Sequence, residues 1–81
     1  MRKSELREIV AKELEVDPEQ LTPDTDLKTI ETFDSVSILT LTIALDERAG
    51  IKLTPTDASA LRYYGDIEKL AEKQGITLVD D

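Results

Sequence analysis

The stretch Asp34-Ser35-Val36-Ser37-Ile38-Leu39-Thr40-Leu41-Thr42-Ile43-Ala44-Leu45 decides the reading of this chain. It is the most apolar segment, and its apolar residues fall at helical spacing. Val36, Leu39 and Ile43 form one stripe; Ile38, Leu41 and Leu45 form another. A helix with two apolar sides is expected to pack on both, which makes it the central element. The spacing predicts a helix over residues 35–49, stopped by Gly50. Asp34 is a favourable N-cap. Ser35 puts a hydroxyl at the helix start, where free backbone N–H groups and the positive end of the helix dipole suit a phosphate.

Working outward, a first helix is expected over residues 4–14. Ser4 is the predicted cap, Glu5 and Glu8 lie in the first turn, and Leu6, Ile9, Val10 and Leu14 share one face. Glu8 and Lys12 form a favourably oriented i,i+4 pair. Asp17-Pro18 stops the helix and opens a short capped turn to Gln20. The connection from there to Phe33 is long, and Leu21, Leu27 and Ile30 are read as apolar pins holding it to the core. Beyond Gly50, Thr54-Pro55-Thr56-Asp57 has the form of a capping box and opens a short third helix over residues 56–61. Gly65-Asp66 opens a fourth over 66–74, with Ile67, Leu70 and Ala71 inward and Gly75 at its end. Residues 77–81 read as a loose tail. The fold class is therefore all-α: a four-helix bundle with a short third helix and a long first loop, in one domain spanning residues 1–81.

With 81 residues, the chain buries only roughly 60–65% of its unfolded surface, which leaves little room for a catalytic cavity. Its net charge of −8 argues against nucleic acid and anionic membrane surfaces and suits basic patches on proteins. There is no apolar leader and no membrane-length run, so a free-standing monomer in the cytoplasm is expected. The sequence has no Cys and no His. That removes disulfides, thiolate metal sites and a Ser-His-Asp arrangement. Asp24 and Asp26 resemble the start of a calcium loop, but Lys28 and Thr29 stand where that loop needs a ligand and a glycine. If this chain takes part in chemistry, the reactive group has to be attached to it.

On these residues the chain resembles the acyl carrier protein family over nearly its whole length. The resemblance rests on the helix order, on Leu21-Thr22-Pro23-Asp24-Thr25-Asp26-Leu27, and on Asp34-Ser35-Val36 opening the second helix. Ala44-Leu45-Asp46-Glu47, Gly50-Ile51 and Tyr64-Gly65-Asp66 complete it. It implies that Ser35 carries 4′-phosphopantetheine, transferred from coenzyme A by a phosphopantetheinyl transferase, and that Asp34 supports the transfer. The arm's thiol would hold an acyl group as a thioester, and the protein would present this cargo to acyl-loading and acyl-processing enzymes while catalysing nothing itself. The resemblance further implies partner contacts at Val36, Asp46, Glu47 and Asp57. A cargo cavity would be lined by Leu41, Ala44, Leu45, Ile51 and Leu61, residues that are first of all expected core.

The sequence also departs from the family pattern. Val36 replaces the usual Leu, and Ser37 and Thr40 stand at positions that are often acidic. Phe33 replaces a small residue, Glu31 an apolar one and Ala49 an aromatic one. The neutral first half of the second helix points to a specialised carrier that associates slowly with strongly basic partners. Each of these residues also has an ordinary reading: Ser35 and Asp34 as helix-start residues, the acidic side chains as solvated charges, Tyr63 and Tyr64 as core or rim. An aminoacyl carrier and an unmodified acidic adaptor are the alternatives in function.

Overall fold

The computed structural model describes all residues from Met1 to Asp81. Helix α1 spans Lys3–Leu14, α2 spans Ser35–Ala44, α3 spans Pro55–Ala60 and α4 spans Tyr64–Lys73. Two short 3₁₀ turns, Pro18–Gln20 and Leu27–Thr29, punctuate the first connection, and α2 runs on into a π-helical turn, Leu45–Ala49. There are no strands, only two isolated bridges. The architecture is the expected all-α, four-helix one, with an extent of 29 × 26 × 20 Å.

Local chemistry accounts for most element ends. Asp17 caps the first 3₁₀ turn by accepting the Glu19 N–H at 3.0 Å, and the Gln20 side chain accepts the Asp17 N–H at 3.1 Å. Thr54 and Asp57 cap α3 reciprocally: the Asp57 N–H donates to Thr54 Oγ1 at 3.1 Å, and the Thr54 N–H donates to the Asp57 carboxylate at 3.2 Å. Gly50 takes a left-handed φ of 68°, and the Ile51 N–H reaches back to Leu45 O at 3.0 Å to close the π-helical turn. Half of α2 is β-branched (Val36, Ile38, Thr40, Thr42, Ile43), a poor composition for an isolated helix. Packing must hold it, and α1 covers both α2 and the π-helical turn.

The core joins Leu6, Val10, Ala11 and Leu14 of α1 to Leu41 and Leu45, to Ile51 and Leu53 before α3, and to Tyr64, Ile67 and Ala71 of α4. Leu21 and Leu27 are buried in it and Ile30 packs against it, so the long loop is pinned as expected. Backbone bonds also lace this loop to the α3–α4 corner: Leu27 N–H to Arg62 O at 2.7 Å, Tyr64 N–H to Thr25 O at 2.9 Å and Gly65 N–H to Pro23 O at 3.1 Å. A Cβ on Gly65 would lie 2.8 Å from Pro23 O, so this corner admits no side chain there.

Five expectations are corrected. The stripe of Val36, Leu39 and Ile43 is not packed: these side chains are 68%, 62% and 50% exposed. Periodicity identifies an apolar face, but three partner helices in so small a domain cover only the Leu41, Ala44 and Leu45 side. Ser4 does not cap α1. Arg2 holds the cap position and Glu5 accepts its N–H at 3.1 Å, while the Ser4 hydroxyl donates to Asp81. Helix α1 ends at Leu14 as expected, but it is stopped by Glu15 in the left-handed region at φ 56°, ahead of Asp17-Pro18. Finally, the tail is tied down: Lys3 N–H donates to Val79 O at 2.9 Å, and Val79 N–H donates to Met1 O at 3.0 Å. The first turn of a helix has N–H groups without intrahelical partners, and the tail supplies an acceptor for one of them. Helix α4 starts at Tyr64, two residues before Asp66. The Asp66 carboxylate accepts the N–H groups of Arg62 and Tyr63, both at 3.0 Å.

Candidate functional site

The start of α2 is built by residues on both sides of it. Thr32 donates its hydroxyl to Leu14 O, which anchors the approach to the end of α1, and Phe33 packs on the core. Asp34 is extended, at φ −129° and ψ −174°, and its Oδ1 accepts the Ser37 N–H at 2.8 Å. In return Ser37 Oγ accepts the Asp34 N–H at 2.8 Å and donates to Asp34 O at 3.0 Å. Ser37 is thus a buried partner in the cap, a role the sequence reading did not assign to it.

Ser35 follows the cap as the first helical residue and is exposed. Its hydroxyl makes no hydrogen bond, and the backbone N–H groups of Ser35 and Val36 have no partner, since the Asp34 side chain takes the Ser37 N–H and Asp34 O takes that of Ile38. A nucleophilic oxygen beside two free N–H donors at a helix start suits an attached phosphodiester. Ser35 also lines a groove of about 460 Å³ between α2 and α3, walled by Ile38, Leu39 and Thr42 on one side and Leu53, Pro55 and Ala58 on the other. The sequence reading missed these wall residues, although Ile38, Leu39 and Thr42 stand three, four and seven positions after Ser35 and so share its face.

The other sequence-derived residues lie as follows. Val36 is exposed beside Ser35. Asp46 is ion-paired to Lys52 at 2.6 Å, and Glu47 is exposed without an ion-pair partner. The Asp57 carboxylate is turned onto the α3 cap, where the Thr54 N–H and hydroxyl hold its pKa below the ordinary value. Leu41, Leu45, Ile51 and Leu61 are packed in the core and Ala44 is buried. The open space next to Ser35 is the α2–α3 groove, outside that set. Tyr63 is on the rim, under the Arg62 guanidinium at 5.3 Å. Tyr64 is fully buried, and burial, reinforced by Glu68, pushes its phenol up. Asp26 caps the second 3₁₀ turn through the Lys28 N–H at 2.9 Å.

Comparison with known proteins bears directly on this constellation. Residues 4–72 match the family described as phosphopantetheine attachment site. The chain belongs to the acyl carrier protein family. It is similar to an acyl carrier protein of Helicobacter pylori (strain G27), 28% identical over 68 residues, which covers 84% of this chain and 87% of the relative. It is also similar to polyketide-8 synthase acyl carrier protein 2 of Streptomyces avermitilis, 32% identical over 76 residues, covering 93% and 87%. The protein is therefore a phosphopantetheine-dependent carrier and not an enzyme, and it works with a transferase and with acyl-processing enzymes in general. No helix of this carrier is long and apolar enough to cross a membrane.

Proposed function

We propose that this carrier is modified at Ser35 with 4′-phosphopantetheine and presents an acyl thioester to partner enzymes, residues 1–81 acting as one carrier domain. The observation that supports this most is the Ser35 hydroxyl itself: exposed, free of hydrogen bonds, and next to the free N–H groups of Ser35 and Val36. The residues fit the group. The N–H pair and the helix dipole favour the phosphodiester charge, and the groove beside Ser35 offers apolar walls of suitable size to an arm or cargo lying on the surface. When bound, the group supplies the thiol that this cysteine-free chain lacks. Asp34 holds the helix start in shape, and its second carboxylate oxygen remains available to assist transfer. Of the acidic side chains read as partner contacts, Glu47 is the most available, because Asp46 faces Lys52 and Asp57 faces its cap.

The absence of charge from Ser35 to Leu45 supports a specialised carrier over a housekeeping one. Incubation with coenzyme A, magnesium and a broad-specificity phosphopantetheinyl transferase, followed by intact-mass measurement, tests the assignment. A gain of one phosphopantetheine that disappears in Ser35→Ala is expected. No gain with an active control carrier present would count against Ser35 as a site for a broad-specificity transferase and point to a partner-specific transferase or to an unmodified adaptor. Efficient turnover by housekeeping fatty acid enzymes would count against the specialised role.

A further inference from the structure

Ser37 is the only polar side chain of α2 that is buried; it is 8% exposed, while Ser35 and Thr40 on either side are open to solvent. A hydroxyl taken out of water opposes folding unless its hydrogen bonds are made. Ser37 makes all of them with one residue. Its Oγ accepts the Asp34 N–H at 2.8 Å and donates to Asp34 O at 3.0 Å, and its own N–H donates to Asp34 Oδ1 at 2.8 Å. Thr32 O lies 3.1 Å from the same Asp34 N–H, on the approach to the helix. Ser37 therefore grips the backbone donor, the backbone acceptor and one carboxylate oxygen of Asp34 together. Thr40 supports it one turn on, donating its hydroxyl to Ser37 O at 3.0 Å.

The consequence falls on Ser35, which stands between Asp34 and Ser37. Its hydroxyl makes no hydrogen bond, so no contact of its own fixes where Oγ points. Its place is set by the backbone, which passes from extended at Asp34, at φ −129° and ψ −174°, to helical at Ser35. The first turn of a helix frays where its cap is lost, and a hydroxyl on a fraying turn is spread over many positions. A displacement of about 1 Å at a reacting atom can cost roughly a hundredfold in rate. The buried Ser37 hydroxyl thus bears on the reactivity of Ser35 from inside the domain.

We propose that Ser37 is a positioning residue for phosphopantetheine transfer, which rests on Ser35 being the attachment point. In that transfer a bond forms between Ser35 Oγ and phosphorus, and the pyrophosphate P–O bond of coenzyme A breaks. The nucleotide half leaves with the electrons of that bond, and the serine proton goes to a base on the transferase. Ser37 touches none of these atoms. It holds Asp34 extended, keeps Ser35 at a fixed place on the first turn, and engages Asp34 Oδ1 so that the other carboxylate oxygen is the one left for the transferase. A carboxylate at residue 37 could accept the Asp34 N–H but could not donate to Asp34 O, so the hydroxyl is the group that serves both.

The test measures kcat and KM for transfer from coenzyme A by a broad-specificity transferase, read by intact mass. The proteins are the unsubstituted chain, Ser37→Ala, Ser37→Thr and Asp17→Ala, which removes a cap at another element. Circular dichroism fixes a temperature at which each keeps its helices. Ser37→Ala is expected to lower kcat by roughly tenfold and to leave KM within about twofold, because the interaction acts on the reacting geometry and not on binding. Ser37→Thr keeps the hydroxyl and should recover kcat to within about threefold. Asp17→Ala should leave kcat and KM within about twofold. If Ser37→Ala does not fold, Ser37→Val is set against Ser37→Thr, which has the same shape and differs by the hydroxyl; the same fall in kcat is then expected between those two. An unchanged kcat on loss of the hydroxyl would overturn the proposal. So would an equal fall in Asp17→Ala, which would trace the effect to stability alone, or a rise confined to KM, which would put residue 37 in contact with the transferase. Failure of the Ser35 assignment looks different: no mass gain in any protein at any transferase concentration, and the positioning role then falls with it.

Discussion

Asp34 and Ser37 cap α2 through each other, the Ser37 N–H donating to Asp34 Oδ1 and the Asp34 N–H donating to Ser37 Oγ, both at 2.8 Å. Ser35 sits between them, so the geometry of the cap sets the geometry of the exposed hydroxyl. Asp34→Ala should cost about 1 kcal/mol, a fall in Tm of roughly 4–8 °C for a domain of this size. Asp34→Asn keeps an acceptor at the cap and should hold Tm within a few degrees while removing the charge. Thermal melts of the two variants, set beside their phosphopantetheine transfer rates, separate the two roles. Equal transfer by Asp34→Asn and the unsubstituted protein would remove Asp34 charge from the transfer step.

The two apolar stripes of α2 should respond in opposite ways. Leu41→Ala opens a cavity in the core and should cost about 2–5 kcal/mol. Leu39→Ala trims an exposed side chain and should stay within about 0.5 kcal/mol. Urea denaturation measures both, and a similar loss for the two would mean that Leu39 is packed after all.

Gly65 stands in the first turn of α4, where alanine is ordinarily the better helix former. The 2.8 Å approach of its missing Cβ to the Pro23 carbonyl reverses that preference. Gly65→Ala should destabilise by about 1–3 kcal/mol. A rise in Tm would show that the loop gives way easily.

Asp66 has its pKa held below the ordinary value of 3.8, first by the Tyr63 N–H and also by that of Arg62. A lowered folded-state pKa gives stability that is present in full above the unfolded value and is lost as pH falls through the folded one. The gap in stability between the unsubstituted protein and Asp66→Asn should therefore be largest near neutrality and close on going from about pH 5 to below about pH 3. Denaturation midpoints at a series of pH values check this, and a gap that widens in acid would contradict it.

The Tyr64 hydroxyl is buried with no hydrogen-bond partner, as are Arg7 Nε and Glu68 Oε2. A buried polar group left unpaired opposes folding, so Tyr64→Phe should leave stability unchanged or raise it by up to about 1 kcal/mol. A clear loss on calorimetry would reveal a bridging water.

Much of the site was legible because its parts are local. Asp34, Asp17, the Thr54–Asp57 pair, Gly50 and Gly75 act on groups within a few residues, so the helix ends they make can be read along the chain. The assignment of Ser4 as a cap failed because two neighbouring residues competed for the role, and Glu5 reaches the Arg2 N–H from inside the helix. The tail misled for a different reason. Its partner, the first turn of α1, lies at the opposite end of the sequence, and nothing in residues 77–81 announces that pairing.

The sequence by itself determined an all-helical chain, the exposed-hydroxyl position at the start of α2 and the charge-free run behind it. Each of these follows from spacing and residue type over a turn or two. Only the tertiary structure decided which stripe of α2 was covered, that Leu41, Ala44 and Leu45 turned inward while Val36, Leu39 and Ile43 stayed in water, and that the open groove beside Ser35 ran between α2 and α3. Both stripes satisfy the same helical period, and what distinguishes them is where α1, α3 and α4 come to rest, a matter of contacts between residues far apart in the chain.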